Sequence, residues 1–496
     1  MRAQPARAPA VARAALSSLA ERLDAEPAVA AARRALEGRV VEEAWIVGGG
    51  VRDALLGRPI HDLDLAVRGE PERAARAVAG AVGGTAFKLS EAFGGWRTID
   101  RERAWVCDVT SLHGEGIEAD LARRDFTVNA MAVPLDGGEP LDPHGGAADL
   151  EAGVIRVIGG PTVAESSYAD DPLRPLRLAR IATELDLVPD SDSERLTREA
   201  APRVAEAAAE RIWAELRRLV SAERVLEGVE LLERLGLAAV VLPELWELRG
   251  VEQSQFHHLD VHGHTLEVLR QQLHLERHLG DVMGELAGPL DALLSEPFAD
   301  ELDRWQALRF GALLHDVGKP ATRGVLPGGR VTFIGHDSVG AEMIGAVCRR
   351  LRTSERMRHF LADLARHHLV LGFLVHEQPL DRRTVYRYLD RCEPVEVEVT
   401  LLSCADRLAT RGKNAEAAIA AHLELARELM AEALVWRRGG RPEPPLRGDE
   451  LANTLGIAPG PELGALLERL REARFTGEAT TPAEALELAR RLREGP

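Results

Sequence analysis

Residues 46–67 read IVGGGVRDALLGRPIHDLDLAV. An apolar run meets three glycines, a helical stretch follows with Val51 and Arg52 at its start, and a second apolar run carries Asp62 and Asp64. That order predicts strand, glycine turn, short helix, strand. Side chains in a strand alternate between faces, so Asp62 and Asp64 share one face. Two carboxylates on one edge, beside backbone N–H groups freed at Gly48 and Gly49, make a place where Mg2+ and a triphosphate can meet. Arg52, beside the turn, is placed to neutralise triphosphate oxygens. A glycine turn or a DxD alone recurs by chance; the two in this order and this close together carry weight.

Working outward, strand-like runs (AWIVGG, HDLDLAV, AWVCDVTSL, VIRVIG) alternate with helical stretches such as EPERAARAVAGAV, so residues 1–160 read as a small α+β head with a helical extension over 1–40. From 161 to 250 the pattern becomes continuous amphipathic helix, an all-helical neck. Residues 251–430 place histidines inside helical segments, and a Pro-, Gly- and Arg-rich joint, RRGGRPEPPLRG, precedes a last helical module assigned to 431–496. The chain of 496 residues is too long for one core, and its composition predicts a predominantly α protein.

The net charge of −17 excludes a uniformly basic, phosphate-coated surface but leaves room for a local basic stripe. Cys107, Cys348, Cys392 and Cys404 lie far apart with no CxxC pair, which suits reduced thiols rather than a disulfide frame or a zinc site. No apolar run is long enough for a bilayer. The opening MRAQPARAPAVARAAL reads as a ragged start before an amphipathic helix rather than a transit peptide, and a cytoplasmic location is expected.

The segment 46–67 resembles the opening motif GGxVRDxLLGxxxxDxD of the polymerase β-like nucleotidyltransferase superfamily, and specifically the bacterial class II CCA-adding enzyme and poly(A) polymerase family. Asp108, in WVCDVTSL, reads equally as a third metal carboxylate or as a structural strand-end acid. ARRDFTVNAMAV carries Arg124, Asp125 and Asn129 in a stretch expected to be helical and is similar to the family's RRDFTxNAxA, which implies contact with ribose and phosphate. From the residues alone, Asp125 fits a helix N-cap and Asn129 a local hydrogen-bonder. In LDPHGGAADLEAGVIRVIG, which resembles the connector between head and neck, Gly145, Gly146 and Asp149 look structural.

The phrase YADDPLRPLRLARI resembles the family's EDxxR motif, with Asp170 in the place of Glu, then Asp171, Arg174 and Arg177. Residues three apart on a helix share a face, so Asp171 and Arg174 would set an acceptor beside a donor fork. C and A both show an exocyclic amine next to a ring-nitrogen acceptor on their pairing edge; G and U show an acceptor next to a ring N–H. A carboxylate beside a guanidinium would accept the first two and reject the others, making the protein its own template. An ordinary i,i+3 surface salt bridge has the same spacing. ERIWAELRRL resembles the family's neck motif, where Glu210 and Arg211 would buttress the base-reading helix.

Downstream, His264, the adjacent His315 and Asp316, His336, His367 and Asp406 follow the order H…HD…H…H…D and resemble the HD phosphohydrolase superfamily. Imidazoles suit a divalent transition metal such as Mn2+, Ni2+ or Fe2+, and an acid next to a histidine can bridge two ions that activate water. Lys319 is a candidate phosphate ligand. His257, His258 and His368 adjoin the motifs without matching them and read as surface or supporting residues.

The resemblance spans about residues 40 to 490. It implies an enzyme that adds C, C and A to the 3′ end of tRNA from CTP and ATP with Mg2+, an HD domain acting on phosphate esters at RNA ends, no membrane partner, and an oligomeric state left open. Poly(A) polymerase shares these motifs, but its members carry a GRRF-like phrase where this chain has GGTAFKLSEAFGGWRTI. A partial enzyme adding only CC or only A, or a protein that is chiefly an HD phosphohydrolase, are the remaining readings.

Overall fold

The computed structural model describes residues 19–38, 40–89, 94–253, 259–410 and 415–494. The opening sixteen residues, His257 and His258 therefore lie outside the described residues. The chain forms two compact units, Met1–Val241 and Leu242–Pro496. Head and neck belong to the first. Residues 242–250, expected to end the neck, belong to the second, where the Gly250 N–H and the Gly263 N–H both donate to the Asp260 carboxylate at 2.7 Å.

The first unit is built on a six-stranded sheet of order β3-β4-β5-β2-β1-β6. Its strands are β1 (Glu43–Val47), β2 (Asp62–Arg68), β3 (Thr85–Lys88), β4 (Trp96–Ile99), β5 (Val106–Ser111) and β6 (Ala132–Pro134). Only β2 and β5 run parallel; every other neighbouring pair is antiparallel. Alternation in β2 decides what each face does. Leu63, Leu65 and Val67 join Ile46, Cys107 and Val109 in the buried core, packed with residues of α1 (Pro27–Leu36) and α3 (Pro71–Val82). Each leucine buried this way contributes about 1.5–3 kcal/mol. The other face carries Val47 and Ala66 under Leu121 and Ala130, and there Asp62 and Asp64 stand.

Between β1 and β2 lies α2 (Gly49–Leu55), and Gly48 before it has φ 68°. A Cβ at Gly48 would lie 2.9 Å from an Arg124 nitrogen and 3.0 Å from Asp64 Oδ2. Glycine is required twice over, for the backbone angle and for the approach of a carboxylate and a guanidinium.

Five segments differ from expectation. The short strands β3, β4 and β6 lack a strong alternating pattern and were not anticipated. VIRVIG was assigned to the head sheet, yet Val154–Ile155 pairs parallel with Val188–Pro189 and so joins the neck. The run from Arg124 to Asn129 is not a continuous helix: α4 (Ile117–Leu121) ends before it, and only Thr127–Asn129 forms a single 3-10 turn.

The neck consists of α5 (Arg174–Leu185), α6 (Ser191–Ala200), α7 (Ala209–Ser221) and α8 (Val225–Arg234). The second unit brings together α9 (Val261–Arg277), α10 (Arg304–Leu314), α11 (His336–Leu351), α12 (Glu355–His367), α13 (Val370–Leu374), α14 (Arg382–Cys392), α15 (Glu396–Ala409) and α16 (Ala415–Gly439). Asp303 and Gln306 close a capping box at the start of α10. Three last helices, α17 (Gly448–Leu455), α18 (Pro461–Thr476) and α19 (Pro482–Glu494), share a core around Leu451, Leu470 and Leu488. Among the described residues no helix is long and apolar enough to cross a membrane.

Candidate active sites

In the first unit a cavity of about 450 Å3 is lined by Gly48, Gly49, Arg52, Asp62, Asp64, Arg124, Asp125, Asn129, Asp171, Arg174 and Arg177. These are the residues that sequence reasoning assigns to one site; Asp53, Arg123, Asp170, Arg180, Ile181 and Arg218 line the cavity as well. Asp108 does not line it. It lies level with Asp64 in the parallel register, and its carboxylate is gripped by the Arg97 fork through two hydrogen bonds of 2.7 Å.

Burial pushes the Asp64 carboxyl up to about 6; Arg124 opposes this while Asp108 and Asp62 add to it. Crowded carboxylates that resist ionising are offset by a bound cation, and their oxygens suit a hard one. The donor set therefore fits a divalent metal.

The arginines are held in place. Arg52 donates to both oxygens of Asp53 at 2.9 and 3.0 Å and to Asn129 Oδ1 at 2.7 Å. Arg124 donates to the buried Asp120 at 3.2 and 3.0 Å, which leaves its remaining nitrogen beside the Gly48 turn. Asp125 is no helix cap. Its Oδ1 accepts from the Phe126 N–H and the Asn129 amide, both at 2.9 Å, and its Oδ2 accepts from Arg177 at 2.9–3.0 Å. Burial alone would raise Asp125, but Arg177 and the Asn129 amide outweigh it and hold the carboxyl below its usual range.

Asp171 and Arg174 do not share a helix face as expected. Helix α5 opens at Arg174, and Asp171 precedes it in a turn, with Oδ1 accepting the Leu173 N–H at 3.0 Å. Both still line the cavity. No ion pair joins them, because each has other partners. Arg211 reaches the Asp171 carboxylate at 2.6 and 3.3 Å, and Arg174 donates to the Ser167 and Arg123 carbonyls at 2.6 and 2.9 Å. Burial would raise Asp171; the Arg211 hydrogen bond reverses that and keeps it ionised. Beneath them Arg180, paired with Glu215 and Glu184, ties α5 to α7.

Sequence reasoning missed Asp120 and His113, which also line the cavity. The His113 Nδ1 and backbone N–H both lie about 3 Å from Asp120 Oδ1. Asp120 could have been found by its i,i+4 spacing to Arg124; nothing in the sequence marks His113.

In the second unit two groups of potential metal ligands meet: His264, His315 and Asp406, and Asp316, His336 and His368. His367 is the correction. One step along a helix turns a side chain by about 100°, which sends His367 towards Arg391 and Arg366 and His368 into the cluster. His336 Nε2 lies 3.3 Å from His368 Nε2, and Asp316 has imidazole nitrogens of His315, His336 and His368 at 3.2, 3.4 and 3.8 Å.

His315, His336 and His368 each direct Nδ1 at the carbonyl three residues earlier, at 2.9, 2.7 and 2.6 Å. That leaves the Nε2 lone pairs turned inward, as a metal requires. His315 Nε2 and both Asp316 oxygens are buried without a well-formed hydrogen bond, although Lys319 Nζ lies 2.6 Å from Asp316. Orphaned donors of mixed nitrogen and oxygen fit a divalent metal. Burial pushes His368 down to about 4, keeping it neutral. Gly318, after the His–Asp pair, lets α11 approach, since a Cβ there would be 2.2 Å from the His336 carbonyl.

A carboxylate pair over a glycine turn, a helical neck completing its cavity and a separate His/Asp cluster define a nucleotidyltransferase fused to an HD domain. The Poly A polymerase head domain family matches residues 44–156, the family described as "Probable RNA and SrmB- binding site of polymerase A" matches 187–249, and the HD domain family matches 261–411. The chain is 37% identical to an A-adding tRNA nucleotidyltransferase of Deinococcus radiodurans, over 91% of this chain and 96% of that one. It is 36% identical to a CC-adding tRNA nucleotidyltransferase of Thermus thermophilus, over 90% and 92%. It is 32% identical to the multifunctional CCA protein of Verminephrobacter eiseniae, over 87% and 98%. The fold matches that of the Thermotoga maritima CCA-adding enzyme complexed with tRNA, with a TM-score of 0.58 at 21% identity over 96% and 97% of the chains. The chain belongs to the tRNA nucleotidyltransferase and poly(A) polymerase family, with a fused HD domain.

Proposed function

We propose that this protein adds C, C and A to the 3′ end of tRNA from CTP and ATP, choosing each base without a nucleic-acid template. The observation that carries this is the placing of Asp171 and Arg174 in the same cavity as Asp62 and Asp64. Asp62 and Asp64 would hold Mg2+, which when bound draws the RNA 3′-hydroxyl and the α-phosphate together. The hydroxyl oxygen bonds to the α-phosphorus, the α–β bridge breaks, pyrophosphate leaves and the hydroxyl proton passes to solvent. Gly48, Gly49, Arg52 and Arg124 receive the phosphates, and Asp125, Asn129 and Arg177 receive the ribose. The Asp171 carboxylate accepts from the exocyclic amine of C or A, and the Arg174 guanidinium faces the ring nitrogen. Asp108 stands one strand away as a third carboxylate, available only if Arg97 releases it. Such work on tRNA belongs in the cytoplasm.

In the HD domain, His264, His315, Asp316, His336, His368 and Asp406 would hold a divalent transition metal, and Lys319 would steady the phosphate. The reaction is hydrolysis of a phosphate ester at an RNA end: water oxygen bonds to phosphorus and the ester oxygen leaves with a proton.

A second reading, a partial enzyme adding only CC or only A, is favoured by the relatives at 37% and 36% identity, which are named for A addition and CC addition respectively. One experiment separates these. Purified protein is given tRNA transcripts ending before CCA, CA or A, with Mg2+ and each labelled nucleotide. A ladder ending at CCA supports full addition, a stop after CC or uptake of A alone supports a partial enzyme, and an unbounded A tail moves the protein to poly(A) polymerase.

A further inference from the structure

Asp316, His336, His368 and Asp406 of the His/Asp cluster line a cavity of about 770 Å3, within the usual range for small-ligand sites. Ile334, 80% exposed, and Phe373, 66% exposed, are the two most exposed large apolar side chains among the described residues, and both line this cavity. Lone exposed hydrophobics are ordinary; the two largest exposures meeting over one metal-ligand cluster are not. Chain geometry fixes them there. Ile334 lies two residues before His336, at the end of the hairpin formed by Gly324–Val325 and Val331–Thr332. Phe373 lies five residues after His368, on α13.

Cations line the same cavity. Arg330 and Arg407 do so, and among the described residues the buried Nε of Arg407 has no hydrogen-bond partner. Inorganic phosphate or pyrophosphate would use the cations and the metal but would have no use for an apolar rim. A nucleotide uses all three, since every base has a face that stacks on an aromatic ring whatever its sequence.

We propose that Phe373, flanked by Ile334, is a stacking platform for the base of the nucleotide whose phosphate ester lies over Asp316, with Arg407 as its phosphate partner. This rests on the phosphohydrolase reading of the HD domain. It makes Phe373 and Ile334 the residues that select nucleotide ends over simple phosphate esters, without discrimination among the four bases.

The test uses the full chain loaded with Mn2+ and compares cytidine 2′,3′-cyclic phosphate with base-free ribose 2′,3′-cyclic phosphate. In the wild-type protein KM is expected to be lower for the cytidine ester. In Phe373→Ser combined with Ile334→Ser, KM for the cytidine ester should rise roughly ten- to a hundredfold, with kcat and base-free hydrolysis unchanged, and Phe373→Trp should restore it. Equal KM values for the two esters in wild type, or an unchanged KM in the double variant, would overturn the platform. Loss of base-free hydrolysis in the variant would overturn it too, by giving Phe373 a structural role.

Absence of hydrolysis in wild type with any divalent metal would instead defeat the phosphohydrolase reading. The platform is then judged by binding in EDTA, with 2-aminopurine riboside 3′-monophosphate as probe. Fluorescence quenching that weakens in the double variant supports it, and identical quenching in both proteins rejects it.

Discussion

The two candidate sites are built of opposite materials. The head cavity is rich in carboxylates and guanidinium groups, and nearly every arginine in it is already hydrogen-bonded to a neighbour. The HD cluster is buried and rich in imidazole, and among the described residues His315 Nε2 and both Asp316 oxygens have no well-formed hydrogen bond. A cavity that must measure a large, flexible polyanion benefits from side chains locked before the substrate arrives. A metal cluster needs the reverse, donor atoms held in place but unsatisfied until the ion binds.

This contrast can be broken most severely at its centres. Asp64→Ala should lower nucleotide addition by at least about a thousandfold and spare metal-dependent phosphohydrolysis, while Asp316→Ala should do the opposite. Parallel assays of both activities on each variant check this, and a joint loss in either variant would mean that the sites are not independent. Next in size, His368→Ala should weaken metal retention by the HD domain roughly ten- to a hundredfold, whereas His367→Ala should leave it within about twofold. Metal content after dialysis reads this directly, and the reverse ranking would restore His367 to the cluster.

A smaller effect is expected where the head cavity is locked. Arg211→Ala frees the Asp171 carboxylate to turn, so the preference for C and A over U should fall about tenfold, and Arg211→Lys should recover only part of it because an ammonium lacks the fork. Misincorporation on a tRNA ending before CCA measures this. Smallest is the pH effect. With the Asp64 carboxyl at about 6, protons compete with Mg2+ as pH falls through that value. Apparent Mg2+ affinity should be flat above about pH 7 and should fall by up to about tenfold per unit well below 6. Mg2+ titrations of activity between pH 5 and 7.5 test it, and a flat response would place the Asp64 carboxyl in the ordinary range.

What was legible in the sequence was whatever depends on residue type at short spacing. Gly48, Asp62 and Asp64 declare a turn and a strand face, and the His315–Asp316 pair declares a cluster. Where two neighbours of the same type compete, spacing fails: His367 and His368 differ only by the rotation of one helical step. Asp171 and Arg174 were read as one helix face, but the helix begins only at Arg174, so they reach the cavity from a turn and a helix end instead. The partners of the locked side chains were only partly visible: Asp120 and Asp53 stand at local spacings from Arg124 and Arg52, whereas Arg97 meets Asp108 only through the pairing of β4 with β5. Strands β3 and β4 went unseen because each spans only four residues and their burial follows no regular alternation.

Arg52 donates to Asn129, Asn129 donates to Asp125, and Asp125 accepts from Arg177 on the neck helix, in links of 2.7, 2.9 and 3.0 Å. This strut runs from the glycine turn to the helix that carries Arg174, so it fixes the span between the two. Under the proposed function, a nucleotide would thereby be gauged for length as well as for the pattern on its base. Shortening the strut at Asn129 would loosen that gauge while leaving the reading edge itself intact.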